Sequence, residues 1–127
     1  MRLRENDMSS SRKKLPNRRR SETFKFTVQG QFGRASHQYY ATVGFYNNGR
    51  VGEVFIRPRS GKPGTELNIA MLELSTVTSI ALQHGASIEE LREAMPRNEA
   101  QPEGVIGTLF DLITETGIKD AIAKVKE

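Results

Sequence analysis

Residues 61–85 read GKPGTELNIAMLELSTVTSIALQHG, and this stretch limits the options of the chain more than any other. A glycine-rich loop carrying Lys62 runs into about five turns of helix, with Thr65 as N-cap and Gly85 as C-terminal stop. Ile69, Met71, Leu72, Thr76, Val77, Ile80 and Ala81 largely follow a spacing of three to four, while Leu67, Leu74 and Leu82 spread the apolar surface nearly all round. A helix of that kind is expected to be the buried centrepiece of the fold.

The residues before it alternate as strands do. Phe24, Phe26 and Val28 share one face of a first run, which Gly30 and Gly33 end. From His37 to Phe45, Tyr39, Ala41, Val43 and Phe45 alternate against Tyr40, Thr42 and Gly44. Asn47-Asn48-Gly49 then supplies residues that tolerate the positive φ of a tight turn, and Val51 to Ile56 returns as the partner strand before Pro58. Three strands on short connections form an antiparallel meander with one apolar face, which the long helix can cover. After Gly85, Ser87-Ile88-Glu89-Glu90 has the spacing of a capping box opening a second helix to Met95. Val105, Ile106, Leu109, Phe110, Leu112 and Ile113 give a third helix its stripe; Gly117 closes it, and Ile118 to Lys126 reads as a short last helix. The fold class is α+β: a three-stranded antiparallel meander against a long buried helix, followed by two or three shorter helices.

Charge divides the chain. Residues 1–20 carry eight Lys or Arg against Glu5 and Asp7, whereas the remaining 107 carry eleven basic and thirteen acidic residues, so the net +4 resides in the N-terminus. With few apolar residues there, Ser9-Ser10-Ser11 and Pro16, residues 1–20 are expected to be a disordered basic arm and residues 21–127 a single domain. Arg12, Lys13, Lys14, Arg18, Arg19 and Arg20 suit either a nucleic-acid contact or a plain solvated terminus. No aromatic is interleaved among them for stacking.

The sequence has no cysteine, which excludes a disulfide, a thiol nucleophile and a zinc-thiolate site within this stretch. The start has no apolar h-region and no segment approaches the roughly 18 apolar residues of a membrane span, so a cytoplasmic location is expected. His37 and His84 have no carboxylates placed to complete a metal site; no metal and no cofactor are expected. His84 is better placed to interact with the C-terminus of the long helix. Glu89, Glu90 and Glu93 fit the solvated face of a short helix better than acid–base work. Tyr39, Tyr40, Phe45 and Tyr46 could stack on a ligand, although alternation sends Tyr39 and Phe45 to the core side. Arg57, Arg59, Lys62, Gly64 and Thr65 precede a helix start, where free N–H groups favour an anion, so they are the candidate phosphate or nucleotide site. The segment departs from G-x-x-x-x-G-K-[ST], since Pro63 follows the lysine; an ordinary strand-to-helix connector is the other reading.

Several short motifs together resemble one family. They are Leu15-Pro16 with Arg18, Ser21-Glu22-Thr23-Phe24, Ala41-Thr42-Val43-Gly44, Asn48-Gly49-Arg50, Glu53-Val54-Phe55-Ile56, Gly61-Lys62-Pro63-Gly64-Thr65, Ser79-Ile80-Ala81-Leu82-Gln83-His84-Gly85, and Gly107 with Asp111-Leu112. Over about residues 15 to 113 the chain is similar to the TSCPD domain, which resembles the C-terminal portion of some adenosylcobalamin-dependent ribonucleotide reductases and also occurs in short free-standing proteins. Where the family name records Thr-Ser-Cys-Pro-Asp, this chain has Gly64-Thr65-Glu66-Leu67-Asn68, so no thiol or metal role of that cysteine carries over. The catalytic barrel and thiyl-radical cysteine of a reductase are not in these 127 residues.

Three functions are consistent with these residues. The resemblance implies a non-catalytic accessory or regulatory module of ribonucleotide reductase, serving deoxynucleotide synthesis for DNA replication, with a reductase subunit or a nucleotide as partner. The basic arm implies nucleic-acid binding. The apolar helices imply a small oligomerisation or interaction domain, with a second copy as partner.

Overall fold

The computed structural model describes residues 11–30, 33–60 and 64–115. Strands β1 (Ser21–Val28), β2 (His37–Phe45) and β3 (Val51–Pro58) form an antiparallel sheet in the order β1-β2-β3. Phe24 pairs with Ala41 and Ala41 with Ile56, so residues of matching parity face the same side on all three strands. The Asn47–Gly49 turn closes β2 on β3: Gly49, at φ 89°, donates its N–H to the Tyr46 carbonyl, and the Asn48 side chain accepts from Arg50 N–H. Beyond the sheet come α1 (Glu66–Gln83), α2 (Ile88–Ala94), a short hairpin of β4 (Arg97–Asn98) with β5 (Gln101–Pro102), and α3 (Val105–Glu115). The α+β class is therefore the one the sequence implies.

Local signals set the helix ends. Thr65 caps α1, its hydroxyl accepting from Asn68 N–H at 3.2 Å, and Ser87 with Glu90 makes the full capping box of α2. Past the α1 C-cap at His84, Gly85 takes φ 110°, a conformation costly for a side chain with a Cβ. The helix expected over Ile118–Lys126 lies outside the described residues.

The core lies between one face of the sheet and the helices. Phe26, Tyr39, Ala41, Val43, Phe45, Val54 and Ile56 meet Met71 and Leu82 of α1, Ile88 of α2, and Ile106, Leu109, Phe110 and Ile113 of α3. Here the structure differs from the sequence expectation in one respect: α1 is buried along one face rather than all round. Leu72 is 40%, Ile80 38% and Val77 67% exposed, with Leu67 and Ile69 exposed beside them. The face α1 turns inward is partly polar, because the helix lies along the outer edge of β3 and meets its backbone.

That meeting is a ladder. Ser75 Oγ accepts from Ile56 N–H at 2.9 Å; Ser79 Oγ accepts from Val54 N–H and donates to Val54 O, both at 3.0 Å; Gln83 Nε2 donates to Gly52 O at 2.9 Å. Four residues of helix rise about 6.0 Å and two residues of strand about 6.6 Å, so steps of four on α1 match steps of two on β3 for a few rungs. Four residues back on α1 stands buried Met71, and two residues on in β3 stands Pro58, which has no N–H to satisfy. Polar side chains sit inside because backbone donors and acceptors there would otherwise be orphaned.

Candidate functional site

The loop predicted to hold a phosphate follows β3. Arg57 projects on the open face of the sheet, its guanidinium 4.6 Å from the centre of the Tyr40 ring, and Lys25 pairs with Tyr40 on the far side. Arg59 is fixed to β2, donating its backbone N–H to Gln38 O at 3.0 Å and Nη1 to Gln38 Oε1 at 2.6 Å. Gly64 has φ 86°, and the Thr65 hydroxyl oxygen takes the Asn68 N–H as helix cap. Lys62 lies outside the described residues. A cleft of about 590 Å³ opens beside the loop between His37, Gln38, Pro58, Arg59, Ser60 and Leu67. Of the four described candidates, Arg59 lines it; Arg57 is turned to Tyr40 and Thr65 to its cap.

Residues 11–20 were expected to be free, and they are instead laid against the domain as a strap. Arg12 Nε donates to Gln83 Oε1 at 2.6 Å, Lys13 N–H donates to Gln83 O at 2.9 Å, and the Tyr46 hydroxyl donates to Lys13 O. Leu15 packs over Gly52, where an added Cβ would sit 3.0 Å from it. Arg19 makes two hydrogen bonds to the Glu53 carboxylate at 2.8 and 3.0 Å and a third to Pro16 O, and that carboxylate raises the Arg19 pKa further. Low hydrophobicity argued for disorder, but the strap is held chiefly by hydrogen bonds and one ion pair. Arg12 and Arg19 are thus engaged, while the side chains of Lys13, Lys14, Arg18 and Arg20 are exposed. Residues 1–10 are outside the described set.

Two further clusters were not anticipated. Arg50 Nη2 donates to Leu82 O at 2.8 Å and Ala86 O at 3.0 Å, so an arginine from the β3 entry, not His84, neutralises the carbonyl end of α1. On α3, Asp111 accepts from Arg92 and from both terminal nitrogens of Arg97, which hold its pKa below the ordinary aspartate value, the Arg97 hydrogen bonds contributing most. Glu115 also pairs with Arg92. These ions tie α2, β4 and α3 together and leave no unpaired acid for catalysis among them. Among the described residues no group of three His, Asp or Glu is placed to hold a metal, and no helix is long and apolar enough to cross a membrane.

Comparison with known proteins decides what this fold is. A sequence profile of the TSCPD domain matches residues 9–125. The chain belongs to the TSCPD domain family. Its relatives include the vitamin B12-dependent ribonucleotide reductase of Agrobacterium fabrum, 35% identical over 115 residues, which is 91% of this chain and 8% of that protein. Those of Rhodopirellula baltica (34% over 93 residues, 73% of this chain) and Bradyrhizobium diazoefficiens (32% over 111 residues, 87%) are likewise matched over 8% of their length. This TSCPD domain therefore spans about a twelfth of the curated relatives it matches. No solved structure matches it.

Proposed function

We propose that this TSCPD domain is a non-catalytic accessory or regulatory module that works with a ribonucleotide reductase, in the cytoplasm. The observation that carries the reading is its likeness, over nine-tenths of its length, to a small segment of vitamin B12-dependent reductases. Reduction of a ribose by radical chemistry needs a thiol, and this sequence has none. A module that acts on a larger chain needs a surface to dock on it, and Ile69, Leu72, Val77 and Ile80 of α1 are large apolar side chains left exposed. The test is co-purification of the tagged protein with the reductase from a native extract, alongside Val77→Glu, which alters an exposed position and should keep the fold. Recovery of the reductase by wild type and its loss in Val77→Glu is the expected result; absence of reductase from the wild-type eluate, with purified reductase indifferent to added domain, would overturn the reading.

A phosphate or nucleotide site at the loop is the finer form of this reading. Its support is Arg59 and Ser60 in the adjoining cleft, with Arg57 near by on β3 and the N-terminus of α1 beginning at Thr65. Lys62 and Gly64 complete the candidate set. Nucleoside triphosphates should then raise the melting temperature by an increment part of which Lys62→Ala removes; a titration that Lys62→Ala leaves unchanged would refute the loop site.

A further inference from the structure

A second cleft, of about 660 Å³, lies at the opposite end of α1 between the strap, the β2–β3 turn and the helix C-terminus. Lys13, Lys14, Tyr46, Asn47, Arg50 and His84 are on its wall, and none of the residues lining it is a carboxylate. Lys13 and Lys14 of the basic N-terminal segment and Arg50 of the domain body thus bring three cations to one concavity.

We propose that this cleft binds a nucleoside polyphosphate, independently of any association with a reductase. A helix C-terminus carries partial negative charge and would repel an anion. Here Leu82 O and Ala86 O are covered by Arg50, Gln83 O by Lys13 N–H, and Ile80 O and Ala81 O by backbone N–H groups of His84 and Ala86. The carbonyl end is capped before a ligand arrives, while the Lys13 and Lys14 ammonium groups stay exposed. A cleft of about 660 Å³ has room for a ligand of nucleotide size. Phosphates would meet Lys13, Lys14 and the outer side of Arg50; the Asn47 amide and the Tyr46 ring edge remain for the base. Lysine on a strap that is itself docked by Arg12–Gln83 and Tyr46–Lys13 brings the charge into place without ordering a free arm on binding.

The experiment is a thermal-shift and calorimetric titration of the full chain with ATP, dATP, inorganic tripolyphosphate and adenosine, repeated on Lys13→Ala/Lys14→Ala, on Lys62→Ala and on Lys25→Ala, a cation of the open sheet face. The expected result is saturable binding of the nucleotides by wild type and Lys25→Ala, weakened about tenfold or more in the double variant with its ligand-free melting temperature unchanged. Equal affinity for tripolyphosphate would locate the recognition in the phosphates alone and overturn the nucleotide assignment. No binding, binding of adenosine alone with equal strength, or equal loss in Lys25→Ala would overturn the site. Binding abolished by Lys62→Ala but intact in the double variant would assign the ligand to the loop and likewise refute this cleft.

Discussion

Replacing Ser75 with alanine removes one rung of the α1–β3 ladder and nothing else of size. Ser75 is 3% exposed and Ile56 fully buried, so Ile56 N–H would lose its acceptor at a place water does not reach. Orphaning a buried donor costs about 1–3 kcal/mol, and the better helix propensity of alanine returns about 0.5 kcal/mol, leaving a net destabilisation of about 0.5–2.5 kcal/mol. At about 4 °C per kcal/mol for a domain of this size, that is a fall in melting temperature of about 2–10 °C. Thermal and urea unfolding followed by circular dichroism measure it, and amide hydrogen exchange at Ile56 localises it. Thr76→Ala is the control: its hydroxyl bonds only to Leu72 O, one turn back on an exposed face, and stability should stay within about 0.5 kcal/mol of wild type. A Ser75→Ala protein that unfolds like Thr76→Ala and keeps its Ile56 amide protected would refute the account of how α1 is held.

Other perturbations test other parts of the fold. Leu109→Ala, at a fully buried position of α3, should cost about 2–5 kcal/mol in urea unfolding, whereas Leu72→Ala on the open stripe should cost about 1 kcal/mol or less. The folded Asp111 carboxyl binds its proton less tightly than in the unfolded chain, so its contribution is complete above about pH 4 and disappears as pH falls through the lower folded value. Asp111→Asn should therefore be less stable at neutral pH by about 1 kcal/mol, the pairs being partly exposed, and should flatten the acid limb of the stability profile. Deleting residues 1–20 should lower stability by about 1–3 kcal/mol through loss of the Leu15 packing and the Arg12 and Arg19 contacts, where a free arm would leave it unchanged. If nucleic acid binds the strap through Lys13, Lys14, Arg18 and Arg20, the logarithmic salt dependence on duplex DNA should have a slope near about −3.6, against about −5.4 for all six cations.

What could be read in the sequence was what depends on neighbours in sequence. Alternation located the three strands, Thr65 and the Ser87–Glu90 pair gave the helix starts, and Gly85 gave the stop, since each acts within a turn of its own residue. The orientation of α1 was hidden because Ser75, Ser79 and Gln83 count as polar and therefore as outward, while their partners are backbone groups of another element that no side-chain pattern displays. The strap was hidden for a related reason: Arg12 and Arg19 find Gln83 and Glu53 at separations of 71 and 34 residues. Proximity in sequence grouped Arg57, Arg59, Lys62, Gly64 and Thr65; of the described ones, Arg57 lies by the Tyr40 ring, Arg59 lines the cleft and the Thr65 oxygen caps α1, placements that strand and cap geometry set and the sequence order does not display.

The serine ladder also leaves the sheet asymmetric toward newcomers. Along β3 the outward amides of Val54 and Ile56 are bonded to a helix, so no further strand can pair there without displacing α1. Among the described residues no strand lies beside the outer side of β1. Growth of the sheet, whether by a peptide from a partner or by a misassembled copy, is thereby restricted to one direction, and the residues that will govern whether it happens are those between Ser21 and Val28.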